Sequence, residues 1–484
     1  MRFLFCVAPL SLLFASVDDF FEDLLDPIAT EHIYHTPEGE NLHYAAVAGL
    51  MPIVDRKAEE LARLFYIAYF AEGDENRPIT FFFPGGPGAA GGWEAICSIG
   101  PVRMKLSEEG KKLLPPYQMI DNPESLLPWT DLVFVDPVGT GYSKIAKSDD
   151  DEEVDFPFFS TEGDIAILAK FIDTFISCYE KWDHPKYIGG FSYGATRSCG
   201  LAEALNGYDI NLHGLLLLSP AIDYTTLLSQ HNQLLPDALL IPTFAATAWY
   251  HGKFGKELPL GEIIDYARRF CYEDYLPFLL QPNRLSPFEQ DYFYTKLSEL
   301  IGLNEDTVRR YAGRFDEDLY TQEFFASERK VLGGLDTRYK SDWSMSGKQE
   351  KDPSYRDMQG IQPSFKAYLQ QELELHAPFV SYLFWSNDSW DFTTYDSISW
   401  PELSQRIRRT LVKNGEMQVF IGSGYYDCRT PFAATEYCFD HLGLPPSYRN
   451  HLHFSYYPAG HGFIFDLPSL KKLKGDLVEF YTNH

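Results

Sequence analysis

The sequence is short of positive charge. Its 484 residues contain 41 lysines and arginines against 69 aspartates and glutamates, a formal net charge of −28. Nucleic acids and anionic membranes are bound through clustered lysine and arginine, so this balance argues against both as partners. Metal-ligand spacing is also missing, because no CxxC pair and no cysteine–histidine cluster occurs. We therefore expect no metal site and no cofactor.

Long apolar runs are missing as well. Residues 1–16 carry one positive charge and then an apolar run, but this run falls short of the ~20 residues that a transmembrane helix needs. No later run approaches that length, so we expect no integral membrane segment. We interpret residues 1–16 as a signal peptide, with a buried N-terminal segment as the alternative. The interpretation predicts a periplasmic or secreted protein.

Six cysteines follow residue 16, and their pairing is open. An oxidising compartment allows up to three disulfides, whereas unpaired buried thiols explain the same residues equally well. The six are Cys97, Cys178, Cys199, Cys271, Cys428 and Cys438.

Short apolar runs alternate with helical patterns, and no internal repeat occurs. This alternation predicts an α/β fold in which a mostly parallel sheet has helices on both faces. We divide the chain after residue 16 into a first core part (17–223), an inserted helical cap (224–371) and a second core part (372–484). Strands are predicted at 43–48, 64–70, 79–83, 131–135, 186–189, 215–218, 417–421 and 453–457. Helices are predicted up to about 181, with Thr161-x-x-Asp164 as the N-terminal cap, and over 467–481.

The residues around Ser192 contain the pattern Gly190-x-Ser192-x-Gly194. Between a strand and a helix this pattern forms a nucleophile elbow, in which the serine backbone is strained and its hydroxyl is exposed at a helix N-terminus. The flanking glycines let the strand and the helix approach closely. We expect the helix to begin near Ala195. Alone the pattern is weak, since a chain of this length has ~0.2 matches by chance at average composition.

A glycine-rich segment follows the predicted strand 79–83. Gly86-x-Gly88-x-x-Gly91 fits a dinucleotide-binding fingerprint formally, with Glu108 near the expected acidic position. However, prolines stiffen this turn, and residues 92–101 do not have the pattern of a long helix. We prefer an oxyanion-hole loop, in which backbone N–H groups face the reacting carbonyl.

A nucleophilic serine needs a base, and the base needs a carboxylate to orient it. In α/β-hydrolases these groups follow in the order serine, aspartate, histidine, each just after a strand. Asp427 follows the strand at 417–421 and His461 follows the strand at 453–457, both on glycine-bearing loops. We predict Ser192, Asp427 and His461 as a catalytic triad. Four other acids and histidines lie in or beside predicted elements and are interpreted as structural: Asp440, His451, His453 and Asp466.

With these motifs in place, the chain resembles the serine carboxypeptidase family. The matching segments are FFFPGGPG, DNPESLL..TDLVFVDPVGTGYS, KYIGGFSYGATRS, FAATAWYH and VFIGSGYYDCRTPFAATEY…YYPAGH. The resemblance implies an α/β-hydrolase fold with an inserted helical cap, and cleavage of C-terminal residues from peptides through an acyl-enzyme. It also implies an oxyanion hole made by the backbone N–H groups of Gly86 and Tyr193.

The chain departs from the family pattern around the implied substrate-binding residues Pro84, Gly85, Phe191 and Gly462. Pro84 stands where the family has asparagine, Phe191 where it has glutamate, and Gly462 where it has methionine. The family asparagine and glutamate belong to the network that binds the substrate carboxylate. Proline and phenylalanine side chains make no such hydrogen bonds. We therefore predict altered carboxylate recognition, unless Arg197 or a cap residue such as Lys253 supplies the contact instead.

Four functions compete on these grounds. A serine-type carboxypeptidase comes first, and an esterase or acyltransferase on the same scaffold comes second. A non-catalytic binding protein is disfavoured by the intact predicted triad, and a dehydrogenase rests on the glycine motif alone. The expected partner is a peptide or ester substrate. The sequence leaves the oligomeric state open.

Overall fold

The computed structural model describes residues 17–106, 115–147, 154–230, 233–343, 352–354, 360–377, 380–386, 389–397 and 400–483. The leader predicted over residues 1–16 lies outside these residues, and so does Glu108. Within the described ranges, ten strands form one large sheet.

The sheet is antiparallel at one end and parallel over the rest. Its order is β1-β2-β3-β5-β4-β6-β7-β8-β9, and Lys144–Ile145 adds a short tenth strand beside β3. Pairing is antiparallel from β1 to β5 and parallel from β5 to β9. The strands are β1 (Ile28–His35), β2 (Asn41–Val54), β3 (Glu60–Ala71), β4 (Ile79–Phe83), β5 (Asp131–Val135), β6 (Lys186–Phe191), β7 (Gly214–Leu218), β8 (Gln418–Gly424) and β9 (Leu452–Tyr457).

Helices follow and precede these strands. They are α1 (Val17–Asp23), α2 (Gly92–Cys97), α3 (Thr161–Cys178), α4 (Tyr193–Ala204), α5 (Leu235–Leu239), α6 (Ile241–Tyr250), α7 (Leu260–Phe270), α8 (Leu276–Leu280), α9 (Pro287–Ile301), α10 (Glu305–Arg310), α11 (Glu317–Glu323), α12 (Ile361–Gln371), α13 (Ser404–Lys413), α14 (Phe432–Asp440) and α15 (Leu467–Asn483). Two small hairpins pair Val102–Met104 with Met119–Asp121 and Lys330–Leu332 with Lys340–Asp342.

Both faces of the sheet are covered, because successive strand residues point to opposite sides. In β4, Phe81 and Phe83 pack into an apolar cluster with α3, α4 and α13. Phe82 joins a second cluster on the other face with α2, α12 and α15. All five residues of β4 are buried. The predicted fold class, a mostly parallel sheet between two helical layers, is confirmed.

Between β7 and β8 the described residues add no strand to the large sheet. Helices α5 to α11 lie in the first half of this stretch and build an apolar cluster of their own, with Phe244, Leu297 and Tyr320 among its buried members. This is the inserted helical region. The domain limits at 223 and 371 stay predictions.

The capping of α3 differs from the prediction. Ser160, not Thr161, is the N-cap, because its backbone is extended and its Oγ accepts a hydrogen bond from the N–H of Gly163 at 3.0 Å. Thr161 is the first helical residue, and its hydroxyl accepts from the Tyr193 hydroxyl instead. The helix ends at Cys178, three residues before the predicted end.

The six cysteines from Cys97 to Cys438 are all free thiols. The alternative of unpaired thiols therefore describes this structure, and the disulfides do not form in it. Across the described part of the chain, none of the helices has the length and apolar character needed to cross a membrane.

Candidate active site

Ser192 lies at the sharp turn between β6 and α4, with φ 58° and ψ −121°. A non-glycine residue is strained at this positive φ and is held there by its surroundings. Added Cβ atoms would lie 2.0 Å from the Gly194 carbonyl oxygen at Gly190 and 2.2 Å from the Phe83 carbonyl oxygen at Gly194. Only glycine fits both positions, as the elbow pattern predicts. The helix begins at Tyr193, two residues earlier than expected.

Three predicted residues meet at the carboxyl ends of the parallel strands. Nε2 of His461 lies 3.0 Å from Oγ of Ser192, and Nδ1 of His461 lies 2.8 Å from Oδ2 of Asp427. Asp427 is fully buried, His461 is largely buried, and Ser192 is partly exposed. The arrangement connects a reachable hydroxyl to a buried carboxylate through one imidazole.

The carboxylate is fixed by groups that sequence reasoning did not single out. Oδ1 of Asp427 accepts hydrogen bonds from the backbone N–H groups of Arg429 and Thr430, at 2.8 and 3.0 Å. The Thr430 hydroxyl donates to Oδ2 at 2.6 Å. Ser219, just past β7, donates its hydroxyl to the His461 carbonyl at 2.7 Å. The Asp427-x-x-Thr430 spacing was the available signal for this turn.

The helical insertion also holds the histidine loop in place. The His461 N–H donates to the carbonyl of Leu335 at 2.6 Å, and the Gly460 N–H donates to Oδ2 of Asp336 at 3.0 Å. Arg338 pairs with the same Asp336 carboxylate. A segment that begins 117 residues beyond β7 therefore positions the imidazole, and no sequence pattern indicated this contact.

The glycine loop after β4 lies against the serine. A Cβ added to Gly85 would lie 2.9 Å from Cβ of Ser192, so the backbone itself reaches the nucleophile. Gly86 is exposed and has φ 112°, a conformation that favours glycine. Tyr193 opens α4, and its N–H has no partner within the helix. The two predicted oxyanion donors thus flank Ser192.

The profile of the serine carboxypeptidase family matches residues 37–456. The chain belongs to the serine carboxypeptidase family. Ser192 and Asp427 fall inside the matched range, and His461 lies five residues beyond it. No curated protein sequence matches the chain at a significant level.

Solved structures of other proteins share the fold of this chain. Kex1(delta)p, a prohormone-processing carboxypeptidase from Saccharomyces cerevisiae, is 16% identical with a TM-score of 0.57, and the match covers 91% of each chain. The carboxylesterase CesB from Bacillus subtilis is 11% identical with a TM-score of 0.36, covering 90% of this chain and 92% of its own. The first likeness confirms the α/β-hydrolase fold, and the family is one of serine hydrolases.

Phe191 and Phe465 form an aromatic wall beside the His461 imidazole. The Phe191 ring is only 9% exposed and lies 5.0 Å from the His461 ring and 5.5 Å from the Phe465 ring, measured between centroids. Pro84 and Gly85 are buried beside it, while Gly462 is partly exposed, and a Cβ there would lie 3.2 Å from the Phe465 ring. This flank of the imidazole is apolar.

Neither alternative carboxylate ligand is free at this flank. The Arg197 side chain is wholly buried and pairs with Asp164 below the glycine loop. Lys253 donates to the carbonyls of Gly302 and Phe324 inside the helical insertion. Both cations therefore make their hydrogen bonds away from the apolar flank, although Nη2 of Arg197 has no hydrogen-bond partner among the described residues.

Two carboxyls are buried behind the glycine loop. Burial raises the pKa of Glu94 to about 8, an effect that the Arg197 charge partly offsets. Burial likewise raises the pKa of Asp136 to about 7, although the Tyr382 hydroxyl and the Gly91 N–H donate to its carboxylate. Both groups hold a proton in the folded protein at pH values where the unfolded chain has lost it.

We expect the protein to lose stability as the pH rises from 5 to 9. The folded pKa values of Glu94 and Asp136 lie above their ordinary values of 4.5 and 3.8. The stabilisation that these groups give the folded state is therefore complete below the ordinary pKa values, and it is lost as the pH rises through the folded values of 7 to 8. Burial also raises the pKa of Glu317 to about 8, so this carboxyl changes stability in the same direction. At ~1.4 kcal/mol per pKa unit and a rise of about three in each pKa, each of the three groups loses about 4 kcal/mol of stabilisation. Urea unfolding at pH 5, 7 and 9 measures it.

The matched variants are Glu94→Gln and Glu257→Gln. Glu94→Gln keeps the shape of a neutral carboxyl and should flatten the pH dependence, whereas Glu257 is exposed and its substitution should leave the dependence unchanged. Equal or greater stability at pH 9 than at pH 5 in the unmodified protein contradicts the prediction.

Proposed function

We propose that the protein is a serine hydrolase in which Ser192 is the nucleophile, His461 the general base and then acid, and Asp427 the residue that orients the imidazole. The observation that carries the proposal is the pair of contacts from the strained Ser192 through His461 to the buried Asp427. It is supported by membership of the serine carboxypeptidase family. The substrate is a peptide or an ester.

The chemistry follows from this geometry. Oγ of Ser192 attacks the substrate carbonyl carbon while Nε2 of His461 takes the hydroxyl proton. The carbonyl oxygen becomes an oxyanion, which the N–H groups of Gly86 and Tyr193 stabilise. His461 then gives its proton to the leaving nitrogen or oxygen, and the acyl-enzyme forms. Water, deprotonated by His461, releases the acid and restores Ser192.

Specificity at the leaving-group side is the second part of the proposal. A free C-terminal carboxylate next to Phe191 and Phe465 loses hydration and finds an aromatic wall in place of the family's hydrogen-bonding groups. Two lost hydrogen bonds to a charged group, at about 1.5–3 kcal/mol each, lower kcat/KM by about 10²–10⁴. We propose that carboxypeptidase specificity for the free acid is weakened or lost.

The same wall favours a second candidate, an esterase or acyltransferase. An uncharged alcohol or amine leaving group loses little hydration on entering an apolar site, and its contact with the Phe191 ring is favourable. The acyl-enzyme forms by the same steps, with an alcohol leaving in place of an amine. In an esterase water then releases the acid, whereas in an acyltransferase an acceptor alcohol or amine, deprotonated by His461, takes the acyl group from Ser192.

A matched pair of substrates tests the proposal. One blocked dipeptide is offered as the free acid and as the C-terminal amide, together with the ethyl ester. We expect kcat/KM for the amide to equal or exceed that for the acid, because the hydrogen bonds that single out a carboxylate are missing. Steady-state kinetics with chromatographic detection of each product gives the ratio.

The possible results separate the candidates. Strong preference for the acid would show that another group binds the carboxylate and would refute the altered specificity. Turnover of the ester alone supports the esterase candidate. Failure of all three substrates, together with no labelling of Ser192 by a fluorophosphonate, refutes the hydrolase proposal itself.

A further inference from the structure

Arg197 is a buried cation directly behind the candidate active site. It lies on α4, one helical turn beyond Ser192, and is 1% exposed. Its Nε donates to Oδ2 of Asp164 on α3 at 2.5 Å, so the charge is paired inside the protein. A buried ion pair is weak evidence for a stabilising role, because desolvation of both charges opposes the attraction. The remaining contacts of the guanidinium are more informative.

The Arg197 guanidinium hydrogen-bonds to backbone carbonyl groups of the glycine loop. Nη1 lies 2.5 Å from the carbonyl oxygen of Pro84 and 3.4 Å from that of Gly85. The Gly85 carbonyl and the Gly86 N–H belong to one trans peptide unit and point in opposite directions. A donor on the carbonyl side therefore turns the Gly86 N–H away from Arg197. The short contact to Pro84 fixes the preceding peptide in the same way.

Arg197 also contacts the other predicted oxyanion donor. Its guanidinium carbon lies 4.9 Å from the centroid of the Tyr193 ring, within the range of a cation–π interaction. The Tyr193 hydroxyl is held in turn by Thr161 and by the indole N–H of Trp390. One side chain thus touches the loop that carries Gly86 and the residue whose N–H forms the second donor.

We propose that Arg197, oriented by Asp164, is a positioning residue that sets the geometry of the oxyanion hole. The inference rests on the proposed function. It assigns Arg197 no contact with substrate, since the side chain is wholly buried. Arginine suits the task because its planar fork of N–H groups can bind the Asp164 carboxylate and the loop carbonyls at once.

The chain offers a matched control in Arg406. This arginine is 4% exposed on α13 and pairs with Glu162 and Asp396, and none of its hydrogen bonds within the described part of the chain reaches the glycine loop. Arg406→Met removes a buried, paired guanidinium just as Arg197→Met does. An effect that both variants share is due to the loss of a buried ion pair. An effect found in Arg197→Met alone is due to the contacts of Arg197 with the glycine loop and Tyr193.

The first experiment measures the loop without relying on activity. Amide hydrogen exchange is followed by mass spectrometry on peptides covering residues 80–92 in the full-length protein. We expect Arg197→Met to speed exchange in this segment by about tenfold or more, since the loop carbonyls lose their anchor and the segment opens locally. Arg197→Lys, with an ammonium group in place of the fork, should fall between. Arg406→Met should leave the segment unchanged.

The second experiment measures the oxyanion hole. We expect Arg197→Met to lower kcat for an ester substrate by about 10–100-fold, less than the ~10²–10³ loss seen when an oxyanion donor is removed outright. KM should stay within about threefold, because ground-state binding is unaffected. Affinity for a peptide boronic acid, whose tetrahedral adduct presents an oxygen to the hole, should fall by the same factor as kcat.

Two results overturn the inference. The first is unchanged exchange over residues 80–92 in Arg197→Met. The second is a loss of kcat that the Arg406→Met control shares, or that disappears once activity is divided by the folded fraction. If the unmodified protein fails to react with a fluorophosphonate, the proposed function fails, and the exchange experiment still decides whether Arg197 positions the loop.

Discussion

Ser192→Ala is expected to lower kcat by about 10⁶ while leaving the fold intact. The substitution removes the hydroxyl that lies 3.0 Å from Nε2 of His461, and with it the acyl-enzyme. Ser192 is partly exposed, and among the described residues its Oγ hydrogen-bonds to His461 alone, so we expect little loss of stability. Alanine at the same strained φ keeps the elbow. Single-turnover hydrolysis of an activated ester, with fluorophosphonate labelling, measures the effect.

Ser198→Ala provides the control on the same helix. Its buried hydroxyl donates to the Gly194 carbonyl at 2.8 Å and has no role in the proposed chemistry. We expect Ser198→Ala to keep activity within about threefold, since its hydrogen bond contributes ~1 kcal/mol of stability. Residual activity of Ser192→Ala above a few per cent of the unmodified protein would remove Ser192 from the role of nucleophile.

The fold follows from local sequence patterns to a large degree. Runs such as 79–83 and 131–135 are apolar at every position because both faces of a central parallel strand are buried, and both appear as β4 and β5. Element ends were less predictable. The choice between Ser160 and Thr161 as the N-cap depends on backbone dihedral angles and on the Tyr193 hydroxyl, which lies 32 residues away along the chain.

The candidate site divides in the same way. Ser192, Asp427 and His461 each follow a strand on a glycine-bearing loop, so their positions in the sequence were enough to predict that the three side chains lie close together. Leu335 and Asp336 carry no such signal, because they reach the histidine loop from inside the helical insertion through contacts between distant segments. The sequence does not show how the helical insertion lies against the sheet, so the hydrogen bonds from Leu335 and Asp336 to the histidine loop were not predicted.

Arg197 illustrates a related limit. Its charge suggested a ligand for a substrate carboxylate, because a cation next to a nucleophile is a reasonable anion site. The structure buries it against Asp164 and the Pro84 carbonyl, a pairing of three segments that no local pattern encodes. The sequence therefore indicated that a positive charge lies near the site. It did not indicate on which side of the glycine loop the Arg197 guanidinium lies.

The pair Pro84→Asn and Phe191→Glu is expected to raise the ratio of kcat/KM for the free acid over the amide by about 10²–10⁴. The substitutions return side-chain hydrogen bonds to the two positions where the family binds the carboxylate. A glutamate donates to a carboxylate only when protonated, so the gain should shrink as the pH rises through the pKa of the new carboxyl. Kinetics on the matched acid and amide from pH 4.5 to 8 measures it.

This ratio is insensitive to partial unfolding, because acid and amide are cleaved by the same folded fraction. That matters since removing a buried phenylalanine ring costs about 3–5 kcal/mol in a core. Pro84→Asn with Phe191→Gln gives the pH control, as an amide donates without titrating, and Phe191→Leu gives the apolar control, whose ratio should stay unchanged. If Phe191→Leu raises the ratio as much as Phe191→Glu, the ring excludes the carboxylate by its size, and the missing hydrogen bonds are not the cause.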